Sequence, residues 1–318
     1  MDLETLIDGY LLFCQSGGRS KQTVRWYSGK LRIFRDYSVE HDGIDDVAAI
    51  TATSIRGFIV HLQTSVRADE HNPYKPDRDD RLSPQTVQGY VRVLKAFFSW
   101  AAREGLVDQS PMTHVSMPKA PKVIVPTFSQ SQVEALLSTI DRGRTVGYRD
   151  YCIMLTFLDT GMRLSELTEL SLASLDLGLG QCKVLGKGSK ERLVPLGGSL
   201  QRALWKYINQ YRSAPAFPGL DTLFLTRDGR QMARSTVYQM VRRYGNLAEL
   251  TGVRCSPHTF RHTFAKNFLM NGGDLFTLQR ILGHSSLDVV RLYVNLASED
   301  ITAQHRKYSP VDMMKIKV

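Results

Sequence analysis

Residues 108–127, DQSPMTHVSMPKAPKVIVPT, limit the possible folds more than any other stretch, because they hold four prolines and almost no apolar residues at helical spacing. Proline has no N–H to give to a helix or to the middle of a sheet, and it drives the preceding residue into extended backbone. Such a segment does not continue a helix or a sheet from one side to the other. It predicts two folding units, 1–107 and 128–318, with 108–127 as the linker between them. Lys119 and Lys122 make that linker basic as well as extended, which suits it to lying along a polyanion.

Upstream of the linker, residues 2–15, 20–37, 51–65 and 83–104 each place apolar side chains at helical spacing, predicting an all-α bundle of four helices. The start signals agree, with Ser20 before the second helix, Thr51 or Thr53 before the third and Ser83-Pro84 before the fourth. Lys21, Arg25, Arg92 and Lys95, together with Arg19, Lys30, Arg32 and Arg35, interleave with Trp26, Tyr27 and Tyr90. A DNA-contacting face and an ordinary solvated helix surface explain this pattern equally well. Residues 66–82 carry two prolines and many charges without periodicity, and are expected to form a surface excursion between the third and fourth helices.

Downstream, the pattern predicts a mixed, mainly α unit with a small antiparallel sheet. Helices are expected at 129–140, 147–159, 199–212 and 235–250, and a short strand at 223–226. In CKVLGKGSKERLVPL, residues 182–185 and 192–196 alternate as strands around Gly186-Lys187-Gly188-Ser189, which puts Lys187 at the tip of a β-hairpin, followed by Lys190 and Arg192. This is not a phosphate-binding GxxxxGK[ST] loop, since Gln181 stands where the first glycine is needed and Gly188 follows the lysine. In GMRLSEL, Arg163 falls just past a glycine on the first turn of a new helix, with Glu166 three residues on and able to orient its guanidinium. A surface salt bridge would account for that pair as well.

The densest chemistry lies in residues 256–293. Ser256-Pro257 is a helix start, because the hydroxyl can take an orphan N–H and proline wastes no donor at the first position. His258 and Arg261 then share a face at i, i+3. That helix is expected to end at Asn271-Gly272-Gly273. A second run, Leu275, Leu278, Ile281 and Leu282, stops at Gly283, which leaves His284 in a turn, and Ser286 can cap a third helix carrying Tyr293. His258 and His262 at i, i+4 resemble a zinc spacing, but Thr259 occupies the position where HExxH needs its glutamate, so no metal is expected.

Composition narrows the partner. There are 41 Lys and Arg against 31 Asp and Glu; residues 1–118 hold 14 against 15, leaving 27 against 16 in the other 200. Positive charge therefore concentrates where the candidate chemistry is, as expected for a site that holds a polyanion, and Arg242 and Arg243 add to it. No apolar run approaches the length of a membrane span, and the acidic amphipathic start does not read as a secretory signal, so a cytoplasmic protein without membrane attachment is expected. Four scattered cysteines without CxxC spacing predict neither a disulfide framework nor a zinc cluster.

GMRLSEL, VLGKGSKERLVPL, HTFRHTFA, LGHSS and a tyrosine nine residues past that last histidine resemble, in order and spacing, the motifs of the tyrosine recombinases, the phage-integrase and Xer-type site-specific recombinases. The resemblance covers nearly the whole chain. It implies a SAM-like, four-helix core-binding domain followed by a catalytic domain, and an enzyme that cuts and rejoins DNA through a covalent 3′-phosphotyrosine. Tyr293 is then the nucleophile, Arg163 and Arg261 clamp the non-bridging phosphate oxygens, Lys187 protonates the departing 5′ oxygen, His258 is the acid/base and His284 hydrogen-bonds the phosphate. Glu166 and His262 support them. Tyr308 is a second phenol, but it lacks the spacing.

Planar guanidiniums and an imidazole can meet the charge of a pentavalent phosphorane without a metal, and the phosphotyrosine stores the bond energy, so neither cofactor nor ATP is expected. The implied partners are double-stranded DNA with paired inverted sites and three further copies of the chain in a synaptic tetramer, the free protein being a monomer or weak oligomer. The tail beyond about residue 299, with Val311, Met313, Met314 and Ile316, is expected to dock on a neighbour. No arm-binding domain is expected before Met1, and on that expectation the chain resembles simple recombinases more than large phage integrases. An integrase or transposase of a mobile element and a chromosome-resolving enzyme both remain open. So do a type IB topoisomerase-like enzyme and a DNA-binding factor with vestigial catalytic residues.

Overall fold

A computed structural model describes residues 1–65, 81–121, 126–186, 191–283 and Ser309. The chain divides into two compact units, Met1–Val123 and Ile124–Val318. In the first, helices α1 (Leu3–Ser16), α2 (Lys21–Asp42), α3 (Ala52–Thr64) and α4 (Pro84–Arg103) each begin at a side-chain cap, from Asp2, Ser20, Thr51 and Ser83 respectively. Their apolar faces meet in one core, where Phe34 packs edge-on against Phe58 and Phe98. Helix α2 runs five residues past its expected end and stops only at Gly43, whose φ of 66° is the left-handed conformation that closes a helix.

The early part of the stretch read as a linker is packed rather than free. Met112 and Val115 are buried in the core of the first unit, while the carbonyls of Pro118 and Pro121 accept hydrogen bonds from Gln88 and Gln85 of α4. Residues 66–80, most of the expected excursion, lie outside the described residues.

The second unit contains α5 (Gln130–Ser138), α6 (Thr145–Thr160), α7 (Leu164–Glu169), a three-stranded antiparallel sheet, and then α8 (Gly198–Lys206), α9 (Arg234–Leu247), α10 (Pro257–Met270) and α11 (Leu275–Leu282). Helix α6 is central. Cys152, Ile153, Met154 and Phe157 are fully buried along it, and Phe157 and Phe128 both pack on Phe260 of α10. The sheet runs in the order β1 (Leu175–Asp176), β2 (Gln181–Leu185), β3 (Glu191–Pro195), with Val184 opposite Arg192 and Cys182 opposite Val194.

Two sequence expectations need correction, and one strand was missed. Residues 223–226 form no strand: Leu225 makes an isolated bridge to Gln231, and the neighbouring Thr222 makes one to Ser171. Strand β1 was not foreseen, since two residues carry no period. Helix α8 ends at Lys206 and continues as one wider, π-helical turn through Tyr207–Tyr211. Among the described residues, no helix is long and apolar enough to cross a membrane.

Candidate active site

The site begins where α6 stops. Gly161 closes that helix at φ 58°, and a Cβ there would come within 2.4 Å of Phe264 and 2.8 Å of Leu282, so only glycine fits both the backbone and the space. Two residues later Arg163 caps α7, and Glu166 at the third helical position accepts from the Arg163 backbone N–H at 2.7 Å. A carboxylate is favoured there, because the first turn of a helix presents unpaired N–H groups. The same Glu166 takes Nη1 of Arg163 at 2.9 Å, as expected of a residue that orients the guanidinium.

A second guanidinium shares that carboxylate. Arg192 on β3 places Nη1 and Nη2 on the two Glu166 oxygens, both at 2.8 Å, while its Nε donates to the carbonyl of Ile281 at 2.7 Å. A third comes from α10. Ser256 caps this helix through the Thr259 N–H, which directs Arg261 inward, and its Nη1 and Nη2 donate to the carbonyls of Gly161 and Leu282, each at 2.7 Å. Arg163 also reaches the Leu282 and Gly283 carbonyls, at 3.4 Å. Three arginines from three elements thus converge on the C-terminal end of α11, where carbonyls without helical partners carry partial negative charge.

Electrostatics follow from this crowding. Burial pushes the Glu166 carboxyl up, but its hydrogen bonds from Arg192 and Arg163 and the charge of Arg192 outweigh that and bring it down to about 2. Desolvation, then the charge of Arg163, lowers the Arg261 guanidinium, which nevertheless remains protonated at neutral pH. His258 lies one helical turn from Arg261. Desolvation and the charges of Arg261, Arg163 and Arg254 hold its imidazole below the usual histidine value, so it is neutral at pH 7. His262, half-buried one turn further along, is lowered by burial and then by His258 and Arg261.

Of the residues singled out from the sequence, Arg163, Glu166, His258, Arg261 and His262 are gathered in this region. Lys187, His284 and Tyr293 lie outside the described residues, as do Lys122 and Lys190. Arg192, expected among the DNA-contacting cations, instead turns its guanidinium inward onto Glu166. A signal for this was available: in ERLVP the alternation of β3 puts Arg192 on the same face as fully buried Val194. The α11 carbonyls have no side-chain signature at all.

Of the remaining cations, Lys21, Arg25, Arg92, Lys119, Arg242 and Arg243 are exposed and Lys95 is half-buried. Arg243 contacts Asp150 at 3.5 Å and stacks on Tyr244. Arg32 and Arg35 pair with Glu4, and Lys30 sits 3.5 Å from the centre of the Tyr90 ring, so the cationic face read on α2 is partly neutralised.

Three converging guanidiniums beside an imidazole, set on a mainly helical unit with one small sheet, are suited to an anionic group such as a phosphodiester. Comparison with known proteins gives the family. The Phage integrase family matches residues 126–300. Tyrosine recombinase XerD of Staphylococcus aureus is 31% identical over 310 residues, covering 97% of this chain and 99% of that protein, and XerD of Staphylococcus haemolyticus is 30% identical over 312. The fold resembles that of the Tn1549 transposon integrase, solved with circular-intermediate DNA (TM-score 0.71, 20% identity, 99% of both chains). It also resembles the XerH site-specific recombinase bound to its difH substrate (TM-score 0.69, 20% identity, 92% of this chain and 80% of that one). The chain belongs to the Phage integrase family, and it is a tyrosine recombinase, an enzyme of site-specific recombination.

Proposed function

We propose that the protein binds double-stranded DNA at paired inverted sites and exchanges strands through a 3′-phosphotyrosine on Tyr293. In the cleavage step Tyr293 Oη bonds to phosphorus and the P–O5′ bond breaks. Lys187 gives its proton to the departing 5′ oxygen, and neutral His258 serves as the acid/base for the phenol. Arg163 and Arg261 meet the charge that builds on the non-bridging oxygens, with His284 hydrogen-bonding the phosphate. Rejoining reverses these transfers with the 5′ hydroxyl of another strand as nucleophile.

The observation that carries this is the convergence of Arg163 and Arg261 on one helix end, with the neutral imidazole of His258 a turn away. In the same proposal residues 1–107 are the core-binding domain, with Lys21, Arg25, Arg92 and Lys95 facing the duplex, 108–127 is the linker and 128–318 the catalytic domain. Four copies act together in the cytoplasm on two sites, in the service of a mobile element or of chromosome resolution.

The test uses a duplex selected from a random-sequence library for binding to the full-length protein, then nicked near the cleavage position so that covalent product accumulates. The unsubstituted protein is expected to form a protein–DNA adduct and Tyr293→Phe none. An adduct persisting in Tyr293→Phe would remove the assignment of the nucleophile. Relaxation of supercoiled plasmid by the monomer without paired sites would point to the topoisomerase-like reading.

A further inference from the structure

Arg192 has no part in the chemistry set out above, yet it makes the most complete ion pair of the site. The Glu166 side chain is 1% exposed, and its two oxygens are both filled by the fork of Arg192, a bidentate pair of the strongest kind. The Arg163 guanidinium meets the same carboxylate through Nη1 alone, beside the backbone N–H on Oε2, and among the described residues its Nη2 makes only the long 3.4 Å approach to the Gly283 carbonyl. Exposure follows the same order, 12% for the Arg192 side chain and 32% for that of Arg163.

The guanidinium of Arg192 is itself fixed from behind. Its Nε is bonded to Ile281, and the backbone of Gly283 passes so close that a Cβ there would lie 3.1 Å from Arg192 Cδ. One buried carboxylate thus faces two cations, and the cation that cannot turn away takes both of its oxygens.

Remove Arg192, and the physics changes for Arg163. A buried carboxylate deprived of a partner is costly and turns to whatever cation remains. Arg163 already touches it, and a small rotation would let its own fork take both oxygens. Its charge would then be spent inside the protein.

We propose that Arg192 is a positioning residue that holds Glu166 in a closed two-pronged pair and thereby keeps Arg163 from being captured by it, leaving the outer edge of Arg163 for the phosphate. This rests on the phosphate-clamp reading of Arg163 given above.

The test is a double-variant cycle on the full-length protein, with the selected, nicked duplex as probe. It measures the rate of adduct formation at saturating duplex and, separately, the dissociation constant. Arg192→Ala is expected to slow adduct formation by roughly 10-fold to 100-fold, the scale of losing a preorganised phosphate donor, with affinity changed by less than about 3-fold. Once Glu166→Gln has removed the charge that captures Arg163, adding Arg192→Ala is expected to cost less than about 3-fold more in rate. Arg192→Lys keeps a cation in place but cannot fork, and should fall between the unsubstituted protein and Arg192→Ala.

Equal loss from Arg192→Ala in both Glu166 backgrounds would overturn the proposal, as would a loss confined to affinity, which would make Arg192 the DNA contact its sequence position implied. Should Arg192→Ala fail to fold, Arg192→Lys and the double variant still decide, since a rate for Arg192→Lys equal to that of the unsubstituted protein, or a double variant much slower than Glu166→Gln, contradicts it. Absence of adduct from the unsubstituted protein would instead bring down the phosphate-clamp reading, and this inference with it.

Discussion

At the scale of single residues, the site fixes its cations before a ligand binds. Arg261 is buried with 7% exposure, and its two terminal nitrogens are held by main-chain carbonyls, so its plane is set before any ligand arrives. Arg261→Ala is expected to lower adduct formation by on the order of 10²-fold or more, measured on the nicked duplex at saturation. The pH dependence has two separate origins. His258 acts as a base only when neutral, and because its imidazole lies below 6.5, the acid limb of adduct formation should appear below pH 6.5 rather than at it. Glu166 works on stability: its folded value of about 2 lies below the ordinary 4.5. The stabilisation it provides is therefore complete above pH 4.5 and lost as pH falls from there toward 2. Acid titration followed by circular dichroism should show Glu166→Gln less stable than the unsubstituted protein at pH 7 but with a flatter decline in that window.

At the scale of elements, helix ends decide what the site can be. Ser256 caps α10 and so sets the rotation that sends Arg261 inward; Ser256→Ala is expected to cost about 1 kcal/mol, read as a lower melting temperature. Gly161→Ala should cost more, roughly 2 kcal/mol or above, because the backbone is left-handed and the added methyl meets Phe264 and Leu282. These ends were legible in the residues themselves: Ser256-Pro257, Gly161 and Gly283 act through their own backbone and immediate neighbours, and the helices they bound lie close to where periodicity put them. Residues 223–226 were misread because the short apolar run Leu223-Phe224-Leu225 resembles a buried strand, while strand formation depends on a neighbour that sequence does not announce. The inward turn of Arg192 was not foreseen for a related reason. Alternation says that two residues share a face of β3, but only the packing of α11 and α7 against that face says whether it looks to protein or to solvent.

At the scale of the whole molecule, charge is distributed unevenly, with 27 Lys and Arg against 16 Asp and Glu in residues 119–318 and near balance before them. Affinity for the selected duplex should therefore fall steeply with salt, and the slope of log K against log salt measures how many phosphates are engaged. Lys21→Ala and Arg25→Ala test the share of the first unit, each expected to shallow that slope by about 1 if the side chain meets a phosphate and to leave it unchanged if it only faces water. The arginine cluster also has a bearing on how such a protein can drift over time. Every amino acid brings a carbonyl, so exchanging Ile281 or Leu282 for another residue of similar bulk leaves in place the oxygens that Arg192, Arg163 and Arg261 require. Only a change that moves the chain itself, such as an inserted or deleted residue near Gly283, takes those anchors away; point mutation can rewrite the surface of α11 while the grip on its end survives.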